Sequence, residues 1–134
     1  MFNKDKSSKP QSRIDSLIGA GTKIEGDVTF AGGLRIDGEV KGNVCSIGDG
    51  GGTLILSEHA RVEGEIHVSH LVISGTVFGP VCSTEFLELQ PRARVTGDVQ
   101  YNGVEIHLGA IIEGKLVHQG GTEKASGLKL ASSN

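Results

Sequence analysis

Five histidines and two cysteines are the residues of this chain best suited to metal or nucleophile chemistry. His67 and His70, in the stretch HVSH, stand three apart in a segment that reads as strand and corner rather than one face of a helix. Cys45, His67 and Cys82 share a different regularity. Each directly follows the second aliphatic residue of a repeated glycine unit, so on successive turns of a coil they would stack in one outward column. Thiolate and imidazole together suit zinc, but the two sulfurs would lie two strand spacings apart, about 9.6 Å. That is too far for one tetrahedral ion with bonds of about 2.3 Å, and too far for a disulfide. The run GDGGGT at 48–53 has the glycines of a phosphate loop but lacks its Lys-Ser/Thr, and no helical pattern follows. No spacing sets a nucleophile beside a base. We therefore assign no catalytic, cofactor-binding or metal-binding residue and expect no enzyme.

What those residues sit on is a repeat. IEGDV at 24–28 returns as VKGNV, VEGEI, VFGPV, VTGDV and IEGKL, with central glycines Gly26, Gly42, Gly64, Gly79, Gly97 and Gly114. The intervals are 16, 22, 15, 18 and 17 residues, the kind of periodicity a solenoid produces. The glycine-rich excursion at 48–53 accounts for the long one. A second series alternates apolar and other residues with the period of a strand: Leu34-x-Ile36, Leu54-x-Leu56, Leu71-x-Ile73, Leu87-x-Leu89 and Val104-x-Ile106. Links of four residues (Ile36 to Val40, Ile73 to Val77) alternate with links of six through four rungs, the fifth repeats the six, and Ile18 to Ile24 opens the stack with another six.

One repeat then reads as strand, corner, short strand, glycine corner, strand, in about 17 residues. Three short faces per turn predict an all-β, single-domain parallel β-helix of about six rungs, a rod roughly 29 Å long at the usual strand spacing. The six glycines would occupy bends at positive φ, which glycine alone enters freely. Glu25, Lys41, Glu63, Phe78, Thr96 and Glu113, each preceding a glycine, would form an outward ladder. The competing architecture is an antiparallel sandwich with glycine-rich hairpins, which gives no reason for one pentapeptide to recur and would want more Asn-Gly or Asp-Gly turns.

Composition agrees with a narrow aliphatic interior. The 134 residues hold 21 glycines, no Trp, one Tyr and four Phe, too few aromatics for an ordinary globular core of this size. Thirteen basic against sixteen acidic residues, a net charge of -3, leave no nucleic-acid footprint. No apolar run reaches the roughly 18 to 20 residues of a membrane span, no secretory core follows Met1, and two cysteines make no disulfide framework. The expected location is the cytoplasm.

The ends are the unusual part. Residues 1–16 and 119–134 are polar or Gly/Ser-rich and read as disordered tails around a 17–118 core. Neither offers a cap, although a solenoid ordinarily needs one. The front rung would expose Ile18, Ile24, Val28 and Phe30, and the back rung Ile111, Ile112, Leu116 and Val117. Matched uncapped ends are polymerisation surfaces, unless the tails fold across them. Arginine at Leu116 or Val117 is expected to block such joining.

The set IEGDV, IDGEV, VEGEI and VTGDV, in an aliphatic coil of about 100 residues between two short polar tails, resembles the bactofilins, bacterial cytoskeletal proteins. The resemblance covers about residues 17–118. It implies a right-handed three-sided β-helix and nucleotide-independent, apolar filaments made by joining like ends. It also implies association with the cytoplasmic face of the inner membrane and a scaffolding role in cell shape or for cell-wall enzymes. The start Met1-Phe2-x-Lys4 is similar to the membrane-targeting tail of some family members. There Phe2 would enter the headgroup boundary while Lys4, Lys6 and Lys9 met anionic lipid, each worth about 1 kcal/mol. An ordinary solvated tail is the other reading of the same residues. At the back end, Leu116 and Val117 stand where some relatives carry an aromatic. Beside this stands a second class, a trimeric hexapeptide-type β-helix enzyme, acyltransferase or zinc carbonic anhydrase. Its strict six-residue period fits the alternating links here poorly.

Overall fold

The computed structural model describes residues 14–48 and 51–119, and among them there is no helix. Six rungs of three short strands follow one another. Rung one is β1 (Ser16–Ile18), β2 (Lys23–Glu25) and β3 (Val28–Phe30); rung two is β4 (Gly32–Ile36), β5 (Glu39–Lys41) and β6 (Val44–Ser46). Rung three is β7 (Gly52–Leu56), β8 (Arg61–Glu63) and the first half of β9 (Ile66–Ile73). From here the corner between third and first faces is short enough for one strand to run through it. The same holds in β11 (Val81–Leu89) and β13 (Val99–Ile106), while β10 (Thr76–Phe78), β12 (Arg94–Thr96), β14 (Ile111–Glu113) and β15 (Leu116–His118) are short. Every pairing is parallel, rung on rung, so the chain is the parallel β-solenoid that the repeat predicts.

The first strands stack Leu34, Leu54, Leu71, Leu87 and Val104 in one inward column and Ile36, Leu56, Ile73, Leu89 and Ile106 in another. The second face supplies Ile24, Val40, Val62, Val77, Val95 and Ile112. In rungs two to five the aliphatics of these columns are buried, as are Val44, Ile66, Val81 and Val99 on the third face, where Tyr101 is partly buried. Like side chains one strand spacing apart pack directly on one another, so branched aliphatics suffice to fill most of the narrow interior. The buried Ser83 hydroxyl is satisfied by donating toward the carbonyls of Ser69 and Phe86, at 3.0 and 2.8 Å. Those contacts hold the bulge by which β11 absorbs one residue more than β9 at the same corner.

The glycine corners have two independent reasons to be glycine. All six of the recurring glycines take positive φ, between 135° and 156°. Five of them also lie directly on the previous corner. A Cβ on Gly42 would come 2.1 Å from the Gly26 carbonyl oxygen, and one on Gly64 would come 2.1 Å from that of Gly42. Gly26, with no rung before it, meets nothing within 4 Å.

The residue after each glycine completes the corner. Asp27 accepts a hydrogen bond from the Asn43 backbone N–H (2.9 Å), Asn43 from Glu65 (2.8 Å), and Asp98 from Lys115 (3.0 Å). An Asx side chain thus satisfies the amide of the following rung, where no ladder partner reaches. Pro80 interrupts the series consistently: having no N–H, it asks nothing of Glu65. Asp27 of IEGDV therefore ties two rungs together, while Glu25 joins the outer ladder.

A second set of glycines explains the alternating links. The long corners are β-turns closed by Thr22 N–H to Gly19 O, Ala60 to Ser57, Ala93 to Gln90 and Ala110 to His107. The short corners of rungs two and four place Gly38 and Gly75 against these turns, where a Cβ would meet the carbonyls of Thr22 and Ser57 at 2.4 Å. The Asp37-Gly38 and Ser74-Gly75 corners fit against a long turn because the glycine of each carries no side chain there.

These two causes separate experimentally. Gly64→Ala, which adds a backbone clash to the strained φ, should cost at least about 3 kcal/mol, whereas Gly26→Ala should cost only about 1–2 kcal/mol. Urea unfolding followed by circular dichroism measures both; equal losses would show that φ alone selects glycine.

Candidate functional site

Each end of the coil presents strands paired on one side only. At the front these are β1, β2 and β3; at the back, the second half of β13, with β14 and β15. Among the described residues nothing pairs with their outer edges. Among the described residues each end thus combines an unpaired strand edge with the last members of the aliphatic columns.

At the front, Ile18, Ile24 and Val28 are partly buried and pack on the core as the column ends. Phe30 does not belong to the open surface: it is 7 % exposed. Its ring reaches along the rod to Gly52, where a Cβ would stand 3.0 Å from Cε2, so the missing side chain there makes its berth. Asp15 leads into this rung by exchanging hydrogen bonds with Gly33, its carboxylate accepting and its N–H donating, both at 2.9 Å.

At the back, Ile112 ends the second-face column, and Leu116, in register with buried Val99, ends a third-face column at 46 % exposure. Ile111 and Val117 stand elsewhere. Their partners are Arg94 and Gln100, so both lie on the outside of the coil, at the rim. In their place the open end carries Val104 and Ile106, with Leu108 fully exposed at the tip of the adjoining turn. Continuing the Leu-x-Ile series to its last member would have found the first two; the exposed turn tip has no periodic signal. His118 extends the column of Tyr101, their rings 5.4 Å apart. Met1, Phe2, Lys4, Lys6 and Lys9 lie outside the described residues.

The outer columns follow the expected register. Glu25, Lys41, Glu63, Phe78, Thr96 and Glu113 are successive partners. Beside them Arg61 ties the ladder sideways, 2.9 Å from Glu63, 3.6 Å from Glu39 and over the Phe78 ring at 4.7 Å. Such exposed pairs are worth under about 1 kcal/mol each. Cys45, His67 and Cys82 are likewise successive partners, on the third face. Among the described residues the His, Cys, Asp and Glu side chains whose ligand atoms converge within 4.8 Å are instead Glu88, Glu105 and His107.

The alternation of long and short corners leaves two open recesses beside Asp37, of about 440 and 390 Å³. They bring together Asp37, Ser57 and His59, residue types that elsewhere make a nucleophile relay. Here the Ser57 hydroxyl bonds to Asp37 and accepts the His59 backbone N–H at 3.4 Å. Among the described residues no imidazole nitrogen bonds to the Ser57 hydroxyl, whose contacts with Asp37 and the His59 amide shape the corner.

A family model described as "Bactofilin: Polymer-forming cytoskeletal" matches residues 16–117. Two curated relatives from Myxococcus xanthus (strain DK1622) are similar. Bactofilin BacP is 29 % identical over 106 residues, covering 78 % of this chain and 42 % of the relative. Bactofilin BacO is 28 % identical over 102 residues, covering 76 % of this chain and 78 % of the relative. The chain thus spans less than half the length of the first and most of the second. No solved structure matches the chain significantly.

The Asp37 corner makes a pH prediction. The Ser57 hydrogen bond, aided by Arg35 at 2.9 Å, outweighs desolvation and holds the Asp37 carboxyl below its ordinary 3.8. A folded-state value below the unfolded one gives stability that is present above the unfolded pKa and lost as pH falls through the folded one. Asp37→Asn should therefore lower the melting temperature slightly and equally at every pH above about 5, with the difference closing toward acid. A difference that grew on acidification would refute the assignment.

Proposed function

The chain belongs to the bactofilin family of polymer-forming cytoskeletal proteins, and on that footing we propose that it assembles end to end into apolar, nucleotide-independent filaments. The observation that carries this is the pair of open ends, each an unpaired strand edge around the exposed termini of aliphatic columns. Of the column ends only Ile106 and Leu116 are nearly half exposed and the rest are partly buried, so covering four of them would yield about 1–4 kcal/mol per copy. Two copies together reach about 2–8 kcal/mol, against an association cost of about 4–15 kcal/mol. Apolar burial alone falls short. Completing the backbone ladder across the joint tips the balance, and it also demands rotational register, as a filament needs.

The same reading makes the protein a structural element with no catalytic role. It would lie in the cytoplasm against the inner membrane, through Met1, Phe2, Lys4, Lys6 and Lys9, and position cell-wall enzymes or other clients that govern cell shape. One tail of this charge binds lipid weakly, but a filament displays many, so membrane binding depends on assembly.

Leu116→Arg places a charge at the end of an inward column and should convert sedimenting filaments to soluble rods, with β-type circular dichroism retained. Ile106→Arg is the companion variant. Filaments from both under negative-stain microscopy would put the joint elsewhere, and discrete trimers from the native chain would favour the hexapeptide enzyme class. Deleting residues 2–9 should abolish co-sedimentation with anionic liposomes while leaving filaments intact. Unchanged co-sedimentation would remove the tail from membrane binding.

A further inference from the structure

Glu88 and Glu105 are direct partners on the outer column of the first face, one rung apart. Two carboxylates facing each other across a ladder repel. His107 opens the last long corner, held by its N–H to the Leu89 carbonyl at 2.9 Å and by the turn bond from Ala110 at 3.2 Å. This backbone sets Nε2 2.9 Å from Glu88 Oε2 and 3.2 Å from Glu105 Oε2. One ring nitrogen therefore meets two carboxylate oxygens, and a single nitrogen has at most one proton to offer them. The Gln90 side-chain amide donates to the same Glu88 oxygen and fixes its rotamer.

We propose that Glu88, Glu105 and His107 bind a divalent transition-metal ion, zinc by preference. Zinc bonds of about 2.0–2.1 Å to nitrogen and carboxylate oxygen require ligand atoms about 3.3–3.4 Å apart at the corners of a tetrahedron. The N–O separations of 2.9 and 3.2 Å need only a few tenths of an ångström of opening, within reach of partly exposed glutamates. An imidazole among the donors selects zinc-like ions over magnesium or calcium. Water completes the fourth position from the solvent side, and Gln90 acts as the orienting neighbour of a ligand. The ion replaces the proton that His107 alone would supply and relieves the repulsion of the stacked glutamates. It also clamps the last rung, which holds Glu105 and His107, to the rung before it.

The test uses the full untagged chain carrying Cys45→Ser and Cys82→Ser, so that no thiol competes. Cobalt(II) should give saturable one-to-one ligand-field absorption, displaced by zinc, and zinc should raise the melting temperature. His107→Gln and Glu105→Gln should each weaken zinc binding about 100-fold, while Glu113→Gln on another face should leave it unchanged. Melting curves without metal verify that each variant is folded, and either informative variant suffices if the other is not. Absence of saturable binding, or equal affinity in the folded variants, overturns the site. Loss of stability in His107→Gln without any zinc effect on the parent chain would do the same, reducing His107 to an ion-pair partner.

Discussion

A glycine α-carbon lying against the carbonyl oxygen of the glycine one turn earlier is the contact on which this molecule depends. It recurs from Gly42 through Gly114 and leaves no room for a single methyl group. Because the corner is that thin, successive turns approach to strand spacing on all three faces at once, and the ladders can close. The aliphatic columns follow from that spacing. So does the Asx bridge from Asp27 to Asn43 and onward, since a side chain of that length spans one rung and no more. The corner opposite uses the same device differently, with Gly38 and Gly75 tucked beneath the turns of their neighbours.

Interior and exterior of the coil divide the labour. Most inward positions are Val, Ile or Leu, with Ala60, Ala93 and Ser83 at corners, and their packing says nothing of what the rod is for. Outward positions vary freely because each meets water on one side. There the chain places an ion-pair network around Arg61, a thiol-imidazole column and the Glu88–Glu105–His107 group without disturbing the core. The function suggested by the family rests on neither. It rests on the two places where the repeat stops and the inward columns meet the surface.

A solenoid is unusually legible because its long-range contacts are local in the repeat frame: a residue's spatial neighbour is its counterpart about 17 positions away. Hence strand order, the positive φ of the six corner glycines and the outer columns through Glu25 and through Cys45 could be read from spacing alone. What failed to show was whatever departs from the frame. Ile111 and Val117 are a separate case: both are apolar but sit on outward registers, and Val117 continues the very column of Cys45, His67 and Cys82, so taking them as end residues weighs composition above register. Phe30 looked like an end residue, yet Gly52, 22 positions on, gives it cover. Glu88 and Glu105 are counterparts 17 positions apart, but His107 joins them from a turn outside the strand columns, and no periodic signal brings it in.

The open ends set a condition of a different kind. Burial inside the rod grows with every added rung, but the boundary at each tip stays the same size however long the coil becomes. Such an object behaves like a one-dimensional crystal whose surface energy sits entirely at its two terminal faces. Lengthening the chain would never remove that energy; only another rod can, by turning two terminal faces into interior. The end rungs are accordingly the least stable part of an isolated copy and gain most from being joined.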